Sequence, residues 1–375
     1  MTYFDNAATS YYKPNCVINA ISAALKHLSA NPGRSSHSLS LKCAILINKA
    51  RENLKDFLGL KNGEIVFNLN CSQSLNFAIF GSVKPGSHII TTAYEHNSVL
   101  RPLSQLQKNG VITFDVVFPN DYGIIELNKI YDLVNSSTTM IVTNHVSNVT
   151  GAVTNINAIG NMCKNLGILY LVDGAQSVGH YDIDIDKNNV DMLAIAPHKG
   201  LNASQGIGAL AVKKGVNLRP ILFGGTGTNS LDLMQPNELP ESLEIGTLPT
   251  PAIAGLNAGI NYNRENAKNM RQKITALSEY ALCELQKLSG IKIYTAKDCY
   301  NGIISFNIGE LNSGYVADVL SSEYDICVRG GLHCAPLIHK HLGTDESGIV
   351  RASLGFDNSF SEVDFLIKAI RDING

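Results

Sequence analysis

Residues 169–176 read Leu169-Tyr170-Leu171-Val172-Asp173-Gly174-Ala175-Gln176, and residues 192–200 read Met192-Leu193-Ala194-Ile195-Ala196-Pro197-His198-Lys199-Gly200. Each is an apolar run of strand length that stops abruptly on polar residues, an acid in the first and a lysine in the second. Ligands of an open parallel sheet sit beyond the carboxyl ends of its strands, so these two endings suggest both a fold and a place for chemistry. Working outward, similar runs lie at 65–67, 88–92, 113–118, 140–143 and 208–212, making seven in all. Helical stretches at 72–80, 98–108, 126–134 and 158–166 separate them. Such alternation predicts an α/β protein with a mostly parallel seven-stranded sheet wrapped by helices.

After Gly246-Thr247-Leu248-Pro249-Thr250-Pro251 the pattern changes to a long helical stretch, 252–288, with a break expected near Asn261 to Asn266. Runs at 302–308, 315–322, 326–329 and 349–354 and an amphipathic helix near 361–371 then read as a smaller α+β domain. The expected division is a large domain over 15–258 and a small one made of 1–14 with 259–375. A cleft between two domains is the default place for a ligand.

Composition narrows the function. The 375 residues carry 30 Lys and Arg against 32 Asp and Glu, so no basic field points to nucleic acid or an anionic membrane. The longest stretch without these charges, 133–163, holds Asn144, His145, Asn148 and four further asparagines, which no membrane span tolerates. Met1-Thr2-Tyr3-Phe4-Asp5-Asn6 has neither a basic nor an apolar leader segment, so a cytoplasmic protein is expected. Eight dispersed cysteines without a CxxC pair read as reduced thiols.

The strand endings supply a consistent set of groups. Asn68-Leu69-Asn70-Cys71-Ser72-Gln73 opens a helix, whose free N–H groups and hydroxyls make an anion site. Glu95-His96-Asn97 follows the 88–92 run and Asn144-His145-Val146-Ser147-Asn148 follows the 140–143 run. A lysine, a strand-end acid, a histidine and a phosphate site together suit pyridoxal 5'-phosphate. The lysine forms a Schiff base, and the acid keeps the pyridine nitrogen protonated so that the ring draws electrons. Singly, each residue has a plain structural reading as a cap, a turn or a surface side chain.

The chain resembles the class V aminotransferases over nearly its whole length, and within them the branch of cysteine desulfurases and selenocysteine lyases. The resemblance rests on Phe4-Asp5-Asn6-Ala7-Ala8-Thr9, Asn31-Pro32-Gly33-Arg34-Ser35-Ser36-His37, Glu95-His96-Asn97, Ser147-Asn148-Val149-Thr150-Gly151, Glu244-Ile245-Gly246-Thr247 and Arg329-Gly330-Gly331-Leu332-His333-Cys334. Most specific is Asp173-Gly174-Ala175-Gln176 with His198-Lys199, Asp173 and Lys199 lying 26 positions apart. It implies the fold type I of pyridoxal-phosphate transferases. It makes Lys199 the Schiff-base lysine and Asp173 the partner of the ring nitrogen. His96 would stack on the ring, and Gln176 and Asn148 would contact the ring hydroxyl or the substrate. Ser72, the N–H groups of Cys71 and Gln73, and His198 would hold the phosphate. Many relatives have Ser where this chain has Ala196.

The same resemblance implies a homodimer with shared sites, in which the loop Gly224-Gly225-Thr226-Gly227-Thr228 reaches the neighbouring phosphate through Thr228. Arg351 would clamp the substrate carboxylate through its planar fork, with Arg329 and Arg34 as further cations. Cys334 would be the sulfur acceptor, its thiolate favoured by Arg329 and His333. The expected reaction turns L-cysteine into L-alanine and leaves a persulfide on Cys334, with His96 assisting proton transfers. The compact loop around Cys334 looks like the type that passes sulfur to an acceptor protein.

Three other readings share these residues in part. A selenocysteine lyase shares all of them, and an aminotransferase or β-eliminating enzyme would leave Cys334 incidental. A metal-binding protein built on His333, Cys334, His339 and His341 lacks the usual paired Cys element. A small-molecule substrate is expected, without metal, nucleic acid or membrane.

Overall fold

Seven strands pair into one sheet in the order β2-β8-β7-β6-β5-β3-β4. They are β2 (Gly63–Asn68), β3 (Ser87–Thr92), β4 (Ile112–Val117), β5 (Thr138–Asn144), β6 (Leu169–Asp173), β7 (Met192–Ile195) and β8 (Gly208–Lys213). The computed structural model describes residues 1–32, 37–228 and 231–375. Within the sheet only β8 runs against its neighbours, antiparallel to β2 and β7. The other strands therefore end on one side.

Alternate residues of each strand enter opposite cores, as a pleated strand requires. Ile141, Tyr170 and Val172 join the cluster under α2 (Ser38–Phe57), α6 (Ile156–Leu166) and the first half of α7 (Thr250–Gln286). Met140, Val142 and Leu171 join the one under α3 (Cys71–Ser82) and α4 (Asn97–Lys108). Burial on both faces is why these strands read as unbroken apolar runs.

A third cluster gathers Phe4, Leu277 and Leu285 of α7, Phe306 of β10 (Ile303–Ile308), Val350 of β12 (Val350–Ser353) and Leu366 of α10 (Phe360–Asn374). Here β10 is central in a three-stranded antiparallel sheet with β12 and β9 (Ile291–Ile293). β1 (Thr2–Tyr3) lies parallel to β11 (Ile326–Cys327) and carries the N-terminus into this region.

The break expected near Asn261 to Asn266 is absent, because α7 is continuous over 37 residues. Asparagine disfavours helix by offering its amide to the local backbone, but Asn261 and Asn263 are engaged elsewhere, while Asn266 donates back to the Tyr262 carbonyl one turn earlier at 2.8 Å. Asn53 donates to Asn257 and Asn261, and buried Asn263 donates to the carbonyls of Gly179 and Gly200 at 2.8 and 3.3 Å. The helices α1 (Asn15–His27), α2 and the short α9 (Pro336–Leu342) also add to the elements expected from pattern.

Candidate active site

Beyond the ends of the parallel strands lies a cavity of about 230 Å³. Ten of the residues singled out in the sequence line it: Cys71, Ser72, His96, Asn148, Asp173, Gln176, His198, Lys199, Arg329 and Arg351. They come together because Asn144, Asp173 and Ala194 are register neighbours across β5, β6 and β7.

Asp173 is the last residue of β6 and 6% exposed. Its Oδ1 accepts the Ala175 N–H at 2.9 Å and lies 3.6 Å from the thiol of Cys71. Burial and the neighbouring carboxylate push the Cys71 thiol well up, so sulfur keeps its proton and donates. Oδ2 has no protein partner among the described residues. Lys199 follows β7 and pairs with no carboxylate among them. Burial pushes its ammonium down against the opposing pull of Asp173.

Asn70 caps α3, its Oδ1 accepting the Gln73 N–H at 3.0 Å. This corrects the expectation for Gln73: its N–H serves the cap and its side chain accepts from Leu69, so it does not line the cavity. The N–H groups of Cys71 and Ser72, in the first turn, have no intrahelical acceptor. The Ser72 hydroxyl meets that of Ser98 at 2.6 Å, and Ser98 meets His96 Nδ1 at 2.8 Å. Ser98 lines the cavity and was not anticipated, although a serine in the first turn of a helix is a recognisable polar signal.

His96 caps α4 by accepting the Ser98 N–H on Nδ1 at 3.0 Å, which puts the proton of the neutral ring on Nε2. Burial lowers its pKa, with Asp173 opposing. Beneath it Glu95 is fully buried, its Oε1 accepting from Thr92 and from the Asn144 N–H, and burial pushes its carboxyl up to about 8. His198 Nδ1 lies 3.0 Å from Thr9 Oγ1, and burial pushes this imidazole down to about 4.

On the opposite wall the two arginines are backbone partners, with N–H to O distances of 3.1 and 2.8 Å between residues 329 and 351. Arg351 is 1% exposed. Its Nη1 donates to the Asn148 carbonyl at 3.0 Å and its Nη2 pairs with Asp5 Oδ1 at 2.7 Å. The open bidentate fork expected of it is therefore already engaged, while Nε is buried without a partner among the described residues. Asn144 Oδ1, also on a residue that lines the cavity, is the same kind of orphan. Gln176 donates its amide to the Ala7 carbonyl at 2.9 Å.

Cys334 is half-buried and does not line the cavity. Its sulfur accepts from Arg329 Nη2 at 3.8 Å, and its turn is held by Asn148, which donates to the His333 carbonyl at 2.7 Å, and by the Asn97 N–H. His333 does not supply the second cation expected beside the sulfur. Burial and Arg351 push its imidazole down to about 2, so it is neutral. Thr228 is exposed, bonded to Thr226, and stands outside this chain's own cavity. Arg34 lies outside the described residues. His341 packs on Phe118 rather than joining His333 and His339, and among the described residues no three His, Cys, Asp or Glu side chains are placed to hold a metal.

The arrangement sets first-turn N–H groups suited to an anion, a buried amine and a carboxylate around one cavity. A probable cysteine desulfurase of Methanothermobacter thermautotrophicus is 33% identical, the match covering 100% of this chain and 94% of that protein. A cysteine desulfurase of Haloferax volcanii is 30% identical over 99% of this chain and 88% of its own. Among solved structures, the apo cysteine desulfurase of Thermococcus onnurineus superposes with a TM-score of 0.92 at 32% identity, over 99% of this chain and 94% of the other. The family model for aminotransferase class-V matches residues 2–366, and the chain belongs to that family.

Proposed function

We propose that the chain is a cysteine desulfurase that uses pyridoxal 5'-phosphate, releases L-alanine and leaves the sulfur of L-cysteine on Cys334 as a persulfide. The observation that carries this reading is the placement of Lys199, without a counter-ion, across one cavity from Asp173, with Cys334 beside Arg329 at the edge. The donor set suits the cofactor: first-turn N–H groups and the Ser72 hydroxyl for phosphate, a carboxylate with one open oxygen for the ring nitrogen, and His96 for the ring face. The orphaned Asn144 Oδ1 and Arg351 Nε add polar atoms in need of partners. When bound, the cofactor would supply an electron sink for the carbanion left at Cα of the amino acid.

The residues divide the remaining work. Lys199 Nζ takes the Cα proton, a role suited to an amine whose basicity burial has lowered. Asp173 Oδ2 holds a proton on the ring nitrogen, its other oxygen being fixed by Ala175 and Cys71. Arg329, with Arg351 Nε, attracts the substrate carboxylate. The Cys334 thiolate attacks the substrate sulfur, so an S–S bond forms as the C–S bond breaks. The electron pair left on Cβ takes up one proton and Cα regains the one that Lys199 removed, which gives L-alanine.

We also take residues 15–258 as one domain and 1–14 with 259–375 as the other, supported by the change of hydrophobic cluster along α7 between Ile260 and Leu277. A homodimer is supported by the exposed apolar side chains Phe223, Leu231, Leu233 and Met234 next to Thr228. Eight free cysteines support a reducing, cytoplasmic setting, from which a sulfur-acceptor protein would draw the persulfide. The test is spectroscopic and chemical. With pyridoxal 5'-phosphate the protein turns yellow and Lys199→Ala does not. Cys334→Ser keeps the colour and loses the persulfide. Sulfur transfer that survives in Cys334→Ser overturns the reading.

A further inference from the structure

Beneath the turn that carries Cys334 lies a pair of imidazoles that the chemistry above does not use. His333 and His339 are 2% and 0% exposed, with ring centroids 5.8 Å apart. Each has one ring nitrogen engaged. His333 Nε2 is 2.9 Å from the Ile349 carbonyl oxygen, and His339 Nδ1 is 2.9 Å from Thr344 Oγ1. The other two, His333 Nδ1 and His339 Nε2, are buried without a protein partner among the described residues.

The two orphans are complementary. A carbonyl only accepts, so His333 carries its proton on Nε2 and its Nδ1 is an acceptor. The Thr344 hydroxyl has its own best acceptor in His339 Nδ1, its other neighbour being the His339 carbonyl at 3.5 Å. With Nδ1 accepting, the proton of His339 sits on Nε2, which is a donor. Two imidazoles joined in line by an N–H···N bond have centroids about 5 Å apart. The observed 5.8 Å is close to that separation.

We infer that His339 is a positioning residue for Cys334: its Nε2–H donates to His333 Nδ1, directly or through one buried water, and locks the turn that presents the thiol. That turn needs a lock. His333 and Cys334 have φ of +48° and +60°, consecutive left-handed conformations that side-chain-bearing residues resist. From the cavity side the turn is held through two backbone carbonyls, by Asn148 and by the Asn97 N–H. His333, which also lines the cavity, anchors the turn through its ring to the Ile349 carbonyl, and His339 belongs to α9. The inference rests on the reading of Cys334 as sulfur acceptor, but its test does not need turnover.

Alkylation of Cys334 by iodoacetamide is measured in the full chain for wild type, His339→Leu and His339→Gln. Leucine removes the donor, and the turn relaxes and withdraws the sulfur from Arg329, so the rate falls about tenfold. Glutamine, whose amide Nε2 reaches the same place, restores it to within about twofold. An unchanged rate in a folded His339→Leu overturns the inference, as does a glutamine variant no better than leucine. Independently of any variant, ¹⁵N shifts of the wild-type rings should show His333 Nδ1 bare and His339 Nε2 protonated. A proton on His339 Nδ1 instead overturns it. A protein that never turns yellow with the cofactor ends the proposed function and leaves these readouts intact.

Discussion

Cys71, at the head of α3, lines the cavity, whereas Cys334, on the turn before α9, stands outside its lining, and the two keep opposite company. Cys71 is 8% exposed, faces the Asp173 carboxylate at 3.6 Å and stays a thiol. Cys334 is half-buried and receives a hydrogen bond from a guanidinium. Thiolate chemistry follows local charge and access rather than residue type, so the two sulfurs stand in settings of opposite kind. In the proposed reaction the first orients the acid and the second accepts sulfur.

The contrast can be broken directly. Iodoacetamide should modify Cys334 at least about a hundredfold faster than Cys71, read by mass spectrometry of tryptic peptides; comparable rates would erase the distinction. Arg329→Ala should slow Cys334 alkylation and persulfide formation by about tenfold, the share of one charge-assisted hydrogen bond, and leave Cys71 untouched. Cys71→Ala should weaken binding of pyridoxal 5'-phosphate by about fivefold, with Cys71→Ser restoring it. A fall in Cys334 reactivity in the same variant would mean that the two sulfurs are not independent.

The smallest effect extends the comparison to a carboxyl group. Glu95 is pushed up to about 8 from an ordinary 4.5, so it stays protonated in the folded protein while the unfolded chain ionises. The folded state then binds more protons, and this group lowers stability progressively as pH rises from about 4.5 to about 8. Glu95→Gln keeps the Oε1 acceptor and cannot ionise. Its melting temperature should exceed that of wild type by a few degrees at pH 8 and match it near pH 4.5. A gap of the same size at both ends of the range would assign the effect to packing instead.

Much of the sheet was legible because burial on both faces writes the central strands into the chain as apolar runs, and Asp173 and Lys199 mark where two of them stop. What escaped depends on partners distant in sequence. Asp5 occupies the fork of Arg351 from 346 positions away, and Asn263 finds carbonyls that let α7 run through its asparagines. The Gln73 N–H goes to a neighbouring cap, a competition that residue types alone do not decide. His333 reads as a cation beside sulfur until its burial is known.

The unbroken α7 behaves as a beam. At 1.5 Å per residue it is about 55 Å long, with Ile253 in one apolar cluster and Leu285 in another. Little more than a third of the way along, Asn263 donates to the carbonyl of Gly200, the residue after Lys199. One rigid element thus joins both apolar clusters and is hydrogen-bonded to the residue that follows the lysine.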